Sequence, residues 1–175
     1  MGARAARENY IHKGYHMGLD MYLKATTYIN KIDYNAKGDS DAWVTMEQFD
    51  KVVTEAGLEA VHTDIYGAEV SVTCAYWRKV NAVHGWFVQN VQGGTDDCGN
   101  YYVPRAKLEE LREACRQAIF HKNPLLIKPM EGFFFGTTDI DEWYWNGLKS
   151  TIKQIDRILA LPNIDDLSFY YQSSW

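Results

Sequence analysis

Residues 75–105 concentrate the side chains of this chain that are best suited to bind a ligand or to react. A helix that served only as a scaffold would be built from Leu, Ala, Glu and Lys, so this choice of residue types indicates that the segment faces a ligand or partner. The candidate ligand-binding residues are Trp77, Arg78, Lys79, Asn81, His84, Asp96 and Asp97.

Three of these candidates suit different parts of a charged organic ligand. Arg78 can hold a phosphate or an acidic partner through its planar fork, and Lys79 can do so as a point charge. His84 follows Asn81 by one helical turn, and the near-neutral pKa of an ordinary histidine suits a general base or a ligand-binding imidazole. Solvated surface cations, and a histidine hydrogen-bonded at the boundary of the core, explain the same residues equally simply.

The acidic loop after this segment also has two interpretations. Asp96, Asp97 and Cys98 can supply metal ligands or a nucleophile, but no CxxC, HxxxH or close Cys/His pair accompanies them. A tight turn, in which Asp side chains accept backbone N–H groups, is favoured. Asp139 and Asp141 can join a cation site or stabilise the first turn of a helix through its dipole. We predict no metal, no cofactor and no catalytic residue.

Composition favours one folded domain. With 175 residues, 46% hydrophobic and 14% aromatic, the chain can bury a core without disulfides or structural metal. A net charge of -5 argues against broad binding of nucleic acid. Three cysteines, and the lack of any apolar run long enough for a signal or a membrane span, predict free thiols, a cytoplasmic location and no membrane association.

The N-terminus differs from the rest of the chain. Residues 1–16 have no hydrophobic period, and Met17 resembles a fresh initiation followed at once by a strand. We therefore expect residues 1–16 to be an extension, either disordered or added for expression, and residues 17–175 to form a single globular domain.

Alternating apolar residues predict strands in the first half of the chain. One runs from Leu19 toward Ile29, a second begins at Gly67, and a short one is expected over Glu59–Ile65. Thr45 and Gln48 match a capping box, which predicts a helix over Met46–Ala56.

Five of the candidate residues, from Trp77 to His84, are predicted to lie on a helix over Tyr76–Val91, and Asp96 and Asp97 are predicted to lie in the loop that follows it. At about 100° per residue its apolar positions share one face, and Trp77, Asn81 and His84 share a flank. We expect this flank to border a pocket shared with the loop at 96–98.

The second half of the chain has clear boundaries. Tyr101–Val103 is predicted as a short strand, and Pro104 begins a helix. Gly132–Gly136 is expected to be a buried strand or strand end, and Thr138 with Asp141 caps the last long helix. The aromatic groups at 133–135 and 143–145 can stack a base or ring, although most of these side chains are expected to lie in the core. Leu167–Tyr171 is expected to be a terminal strand. This order predicts an α+β fold, a mixed sheet with about four helices packed on it, with a three-layer α/β fold as the alternative.

Four sequence segments resemble a group of small proteins encoded by bacteriophages and prophages. They are GLDMYL after Met17, YWRKxNxxHxWFVxNVQxGxDDCxxYYV over Tyr76–Val103, GFFFGTTDIDEWY, and the closing FYYQSSW. The resemblance implies a protein made in an infected bacterial cytoplasm, where small phage proteins commonly act on host machinery or immunity. It carries over no catalytic residue.

Two classes of function are consistent with these observations. The first is a non-catalytic binder of a host-derived ligand, favoured as a nucleotide-like signalling molecule, which would counter a bacterial defence. The alternatives are a small hydrolase or transferase that uses His84 with an acidic partner, and an inhibitor of a host protein through a protein–protein interface. Assembly of the chain with copies of itself is left open.

Overall fold

A computed structural model describes residues 18–33 and 45–175, so the extension expected at residues 1–16 lies outside the described residues. Three short 3-10 turns, at Glu59–Asp64, Pro124–Leu126 and Ile164–Asp166, connect the longer elements. Those elements are β1 (Asp20–Asn30), α1 (Glu47–Glu55), β2 (Gly67–Arg78), α2 (Asn81–Asn90), β3 (Tyr101–Val103), α3 (Arg105–Phe120), α4 (Glu142–Leu159) and β4 (Ser168–Ser174).

The four strands form one sheet in the order β2-β1-β4-β3. Every neighbouring pair is antiparallel, so the α+β class is confirmed while the expected mixed sheet is antiparallel throughout. The sheet is antiparallel throughout, rather than mixed, because the last strand, β4, lies between β1 and β3 and runs opposite to both. A three-layer α/β fold needs parallel crossovers and does not apply.

One face of the sheet packs against the helices. Met21, Leu23 and Tyr171 are completely buried on this face, in one apolar cluster with residues of α2, α3 and α4. Residues on the other face, which we call the open face, alternate with them along each strand; from Asp20 to Lys24 of β1 they are half-buried, whereas Thr26 on the same face is buried. The open face carries Asp20, Tyr22, Lys24, Tyr76, Arg78, Tyr102, Tyr170 and Gln172.

The helix predicted over Tyr76–Val91 begins five residues later than expected. Ala75–Arg78 instead complete β2, where they pair with Asp20–Leu23 of β1. The ladder of hydrogen bonds to a strand more than fifty residues away overrides the local helical period. Trp77, Arg78 and Lys79 therefore do not lie on the helix that carries Asn81 and His84.

Other local predictions were wrong where a turn took the place of a regular element. The segment Glu59–Asp64 is a 3-10 helix rather than a strand, and Gly132–Gly136 lies in a turn and the irregular chain around it. The predicted capping box does not form among the described residues, because Thr45 pairs with Ile32 in an isolated bridge and α1 begins after Met46, which makes no side-chain capping hydrogen bond there.

Predictions in the second half hold more closely. Tyr101–Val103 is β3, α3 follows Pro104, and β4 covers the expected terminal strand. The N-cap of α4 is Asp141, whose carboxylate accepts the Tyr144 backbone N–H at 3.0 Å, without Thr138. Within the described residues, no helix has the length and apolar character needed to cross a membrane.

Candidate functional site

The predicted ligand-binding residues separate into two places. Arg78 and Lys79 lie at the end of β2, on the surface. His84 and Asp96 meet in the interior, on the α2 side of the sheet. The flank of Trp77, Asn81 and His84, which was expected to border a pocket shared with the loop at 96–98, is instead buried, and His84 bonds directly to Asp96 of that loop. Arg78 and Lys79 line a separate surface groove.

The surface groove lies between the end of β2 and the first half of α4. Its volume is about 420 Å³, within the range of small-molecule sites. It is lined by Tyr76, Trp77, Arg78, Lys79, Val80, Trp143, Asn146, Gly147 and Ser150. The helix approaches the strand this closely because residue 147 is glycine: a Cβ there would lie 2.7 Å from Val80 Cγ1.

Arg78 is held in a fixed orientation at the groove. Its Nη1 donates to both carboxylate oxygens of Asp20, at 2.8 and 2.9 Å, and the Tyr76 hydroxyl donates to the same carboxylate. Burial, followed by the hydrogen bond to Asp20, raises the pKa of Tyr76, so this hydroxyl stays protonated at neutral pH. Asp20 compensates much of the Arg78 charge, which makes Arg78 an oriented donor rather than a strong anion attractor.

Lys79 supplies the uncompensated charge of the groove. Its ammonium makes no hydrogen bond or ion pair with the residues that the structure describes. Its backbone is left-handed, with φ 55°, fixed by a 2.8 Å hydrogen bond from its N–H to the Leu19 carbonyl. Its stem lies against Gly18 and Gly136, and a Cβ at Gly18 would come within 2.7 Å of Lys79 Cε. Such strain costs about 1 kcal/mol or more and tends to persist at functional sites.

Trp143 provides an aromatic surface at the rim of the groove. It lies in the first turn of α4, and 62% of its surface is exposed. It also lines a small adjoining cleft, with room for about one water, that contains Asp139 and Asp141. Lys79 lines both the groove and this cleft, so a ring stacked on Trp143 would lie near Lys79 and near the two carboxylates.

The second place is a buried chain of hydrogen bonds around His84, which has no exposed surface. Nδ1 lies 2.8 Å from the Tyr171 hydroxyl, and Nε2 lies 3.0 Å from Asp96 Oδ2. Burial lowers the pKa of His84 and outweighs the opposite effect of Asp96, so the ring is neutral at pH 7. Because burial raises the pKa of Tyr171 well above 10, the tyrosine donates to Nδ1, and Nε2–H donates to Asp96.

Aromatic rings close this network from solvent. Phe135 makes an edge contact with His84, with ring centroids 4.8 Å apart. The indole of the C-terminal Trp175 contacts Phe135 and donates to Asp96 Oδ1 at 3.2 Å. The tyrosine–histidine–aspartate order resembles a proton relay, but Tyr171 and His84 are both fully enclosed, so a bound substrate would not reach them.

Two further candidates, Trp77 and Asn81, hold neighbouring segments of the fold in place. Trp77 Nε1 donates to the Thr151 hydroxyl at 2.9 Å and fixes α4 against β2. The Asn81 amide donates to the Thr137 carbonyl at 2.9 Å and holds the segment before α4. Both side chains are buried, at 2% and 5% exposure. Trp77 therefore lines the groove with its indole N–H already engaged, and Asn81 lines only the small adjoining cleft.

Asp97 forms the tight turn that the sequence favoured for the acidic loop. Its carboxylate accepts the Gly99 backbone N–H at 2.8 Å and the Tyr101 hydroxyl at 2.9 Å. Across the described ranges, 18–33 and 45–175, no group of three or more His, Cys, Asp or Glu side chains is placed to hold a metal ion.

On the α4 side of the groove, the sequence offered Trp143 as one of several aromatic residues that can stack a ring, most of them expected in the core, and it singled out neither Asn146 nor Ser150. Trp143, Asn146 and Ser150 recur at the spacing of one helical face, and they lie off the buried stripe that includes Tyr144 and Leu148. An exposed tryptophan beside a capped helix start was the available signal.

No protein family model matches this chain, and comparisons with curated proteins and with solved structures found nothing similar to it.

Proposed function

We propose that this protein binds a small nucleotide-like anion in the groove between β2 and α4, without turning it over. A nucleotide offers a flat ring and a phosphate, and the groove offers a complementary set. Trp143 and Tyr76 stack the ring, Lys79 pairs with the phosphate, and the fixed Arg78 donates to its oxygens. Asn146 and Ser150 remain for polar groups of the sugar or base.

One observation carries the proposal: an exposed tryptophan and a lysine in a strained backbone, which has no partner among the described residues, line the same groove. A strained φ and a largely exposed indole each cost stability or solubility. Both are accounted for if they are retained for a ligand.

A binder is favoured over an enzyme because of where His84 lies. The hydrolase or transferase alternative needs an imidazole within hydrogen-bond reach of a substrate. His84 instead has both ring nitrogens engaged by Tyr171 and Asp96 under an aromatic cover. It is better explained as a buried polar anchor between α2, β4 and the loop at 96–98.

The phage resemblance suggests the role of such binding. A protein that retains a host signalling nucleotide in the infected cytoplasm withdraws it from its host receptor, and so counters the defence that the nucleotide activates. The amount withdrawn depends only on the affinity and concentration of the binder, so no catalytic group is needed.

A ligand panel tests the proposal. The full chain is incubated with nucleoside monophosphates and with linear and cyclic dinucleotides, and is then analysed by native mass spectrometry and by chromatography of the released compound. We expect an intact nucleotide to be retained. Release of a changed compound would show an enzyme, and retention of none would contradict the proposal and favour a host-protein partner.

Two variants locate the site. Trp143→Ala should weaken retention about 5- to 150-fold, the range for a lost base–aromatic stack. Phe120→Ala is the matched control, because Phe120 is an 80% exposed aromatic at the end of α3, away from the groove. Equal effects of the two changes would place the ligand elsewhere.

A further inference from the structure

The open face of the sheet continues the groove with a pair of tyrosines. Tyr22 of β1 lies opposite Tyr76 of β2, and their ring centroids are 5.4 Å apart at an interplanar angle of 45°. Tyr76 also lines the groove. A group bound beside Tyr76 is therefore one ring away from a second aromatic surface on the sheet.

Cations lie on both sides of this tyrosine pair. Lys79 follows the Arg78–Asp20 row at one side. On the other side Lys24, two residues beyond Tyr22 on the same face, donates to the Gln172 side chain at 3.0 Å. Lys24 has no carboxylate partner within the part of the chain that the structure describes. At about 3.3 Å per residue, the Lys24 and Asp20 rows lie about 13 Å apart along the strand.

Two cations separated by a pair of aromatic rings are complementary to two phosphates separated by a base. The groove alone accounts for one ring and one phosphate, and it leaves Tyr22 and Lys24 without a role in ligand binding. Tyr22 is half-buried and Tyr76 is 45% exposed, so both rings offer a surface for stacking.

We propose that the ligand consists of two linked nucleotide units, one in the groove and the second stacked on the Tyr22–Tyr76 pair with a phosphate at Lys24. This inference rests on the proposed function of the groove. The chemistry is that of a free dinucleotide, and the end of a single-stranded nucleic acid would share it. The net charge of -5 favours the short ligand, because a longer strand brings more phosphates than the chain can neutralise.

Calorimetry with defined probes separates these cases. The probes are 5′-AMP, the 5′-phosphorylated adenosine dinucleotide pApA, its cyclic dinucleotide counterpart, and a ten-residue oligoadenylate. We expect at least one dinucleotide to bind about tenfold or more tightly than 5′-AMP. Tyr22→Ala should weaken dinucleotide binding about 5- to 150-fold and leave 5′-AMP binding unchanged.

A control variant and a second test variant check the assignment of the second nucleotide unit. Tyr102→Ala is the control, since Tyr102 is a 57% exposed tyrosine on the same face, paired with Tyr170 at the far edge of the sheet. It should change neither affinity. Lys24→Gln keeps most of the side chain, and it should weaken dinucleotide binding alone even if Tyr22→Ala folds poorly.

Each other result has a distinct meaning. Equal binding of 5′-AMP and both dinucleotides, with no effect of Tyr22→Ala or Lys24→Gln, would overturn this inference and leave the groove proposal standing. No binding of any nucleotide would overturn both. Tightest binding of the oligoadenylate, weakened by Tyr102→Ala, would show that a nucleic-acid strand crosses the whole face and would overturn the dinucleotide assignment.

Discussion

Replacing Lys79 with glycine should stabilise the fold and abolish tight ligand binding at the same time. The left-handed backbone of Lys79, with φ 55°, costs about 1–2 kcal/mol in an L-residue, and glycine removes that cost. Glycine also gives the unfolded chain more conformational freedom, which cancels about 0.4–1 kcal/mol of this gain in stability. The net gain in the free energy of unfolding is about 0.5–1 kcal/mol, or about 1–4 °C in Tm.

The expected loss of affinity is larger. Lys79→Gly removes the groove's uncompensated cation, and a lost charge-assisted hydrogen bond costs about 1.5–3 kcal/mol, which is about 10- to 150-fold in Kd. Urea unfolding measures the first effect, and calorimetry with the retained nucleotide measures the second.

Lys122 offers a matched control. It is also a lysine with a left-handed backbone, φ 50°, but it follows α3 and does not line the groove. Lys122→Gly should stabilise the fold by a similar amount and leave ligand affinity unchanged. The reasoning is refuted if Lys79→Gly binds the nucleotide as well as the unchanged protein does, or if both glycine variants weaken binding equally.

Three further predictions concern the interior. Because burial lowers the pKa of His84 below 6.5, the unfolded chain binds more protons than the folded one as the pH falls through 6.5. The free energy of unfolding should therefore decrease between pH 7.5 and 5.5, and a flat urea-unfolding profile would contradict this. Gln92 is 5% exposed, and neither of its side-chain polar atoms has a hydrogen-bond partner among the residues that the structure describes. Gln92→Met should therefore raise the free energy of unfolding by about 1 kcal/mol or more, and a lower Tm would contradict this prediction. Burial raises the pKa of Cys115 to about 12, so the Cys115 thiol should react only when the protein unfolds. The denatured, unreduced chain should show three free thiols, and a count of one would reveal a disulfide.

Local patterns were sufficient to predict α3, α4, β3 and β4 in the second half, but not the turn at Gly132–Gly136. The apolar stripe of α3 recurs at helical spacing, and Leu108, Leu111 and Cys115 are buried as that spacing requires. The end of β2 could not be predicted this way. Ala75–Arg78 have a helical period of their own, and only pairing with β1, which is distant in sequence, makes them a strand.

The candidate site was predicted on one side only. Arg78 and Lys79 are distinctive as a charged pair, and they do line the groove. Trp143 lies more than sixty residues later, and it reaches the same groove because Gly147 lets α4 pack closely against Val80. That contact depends on tertiary packing, which no local pattern encodes.

The environment of His84 also depends on tertiary packing that no local pattern encodes. Its acidic partner, Asp96, lies twelve residues away in the predicted loop, but its second partner, Tyr171, comes from the terminal strand. Sequence position alone placed His84 on a flank open to a ligand. The insertion of β4 beside β1 is what encloses it.

The tryptophan indole resonances in a proton–nitrogen NMR spectrum test the central claim most directly. The chain has six tryptophans, and Trp143→Phe identifies the Trp143 signal by its loss. On titration with pApA, the Trp143 signal should shift while that of Trp77, buried and hydrogen-bonded to Thr151, stays in place. An unchanged Trp143 signal, with the largest shift at Trp175 beside Asp96, would contradict the groove and place the ligand at the buried histidine network instead.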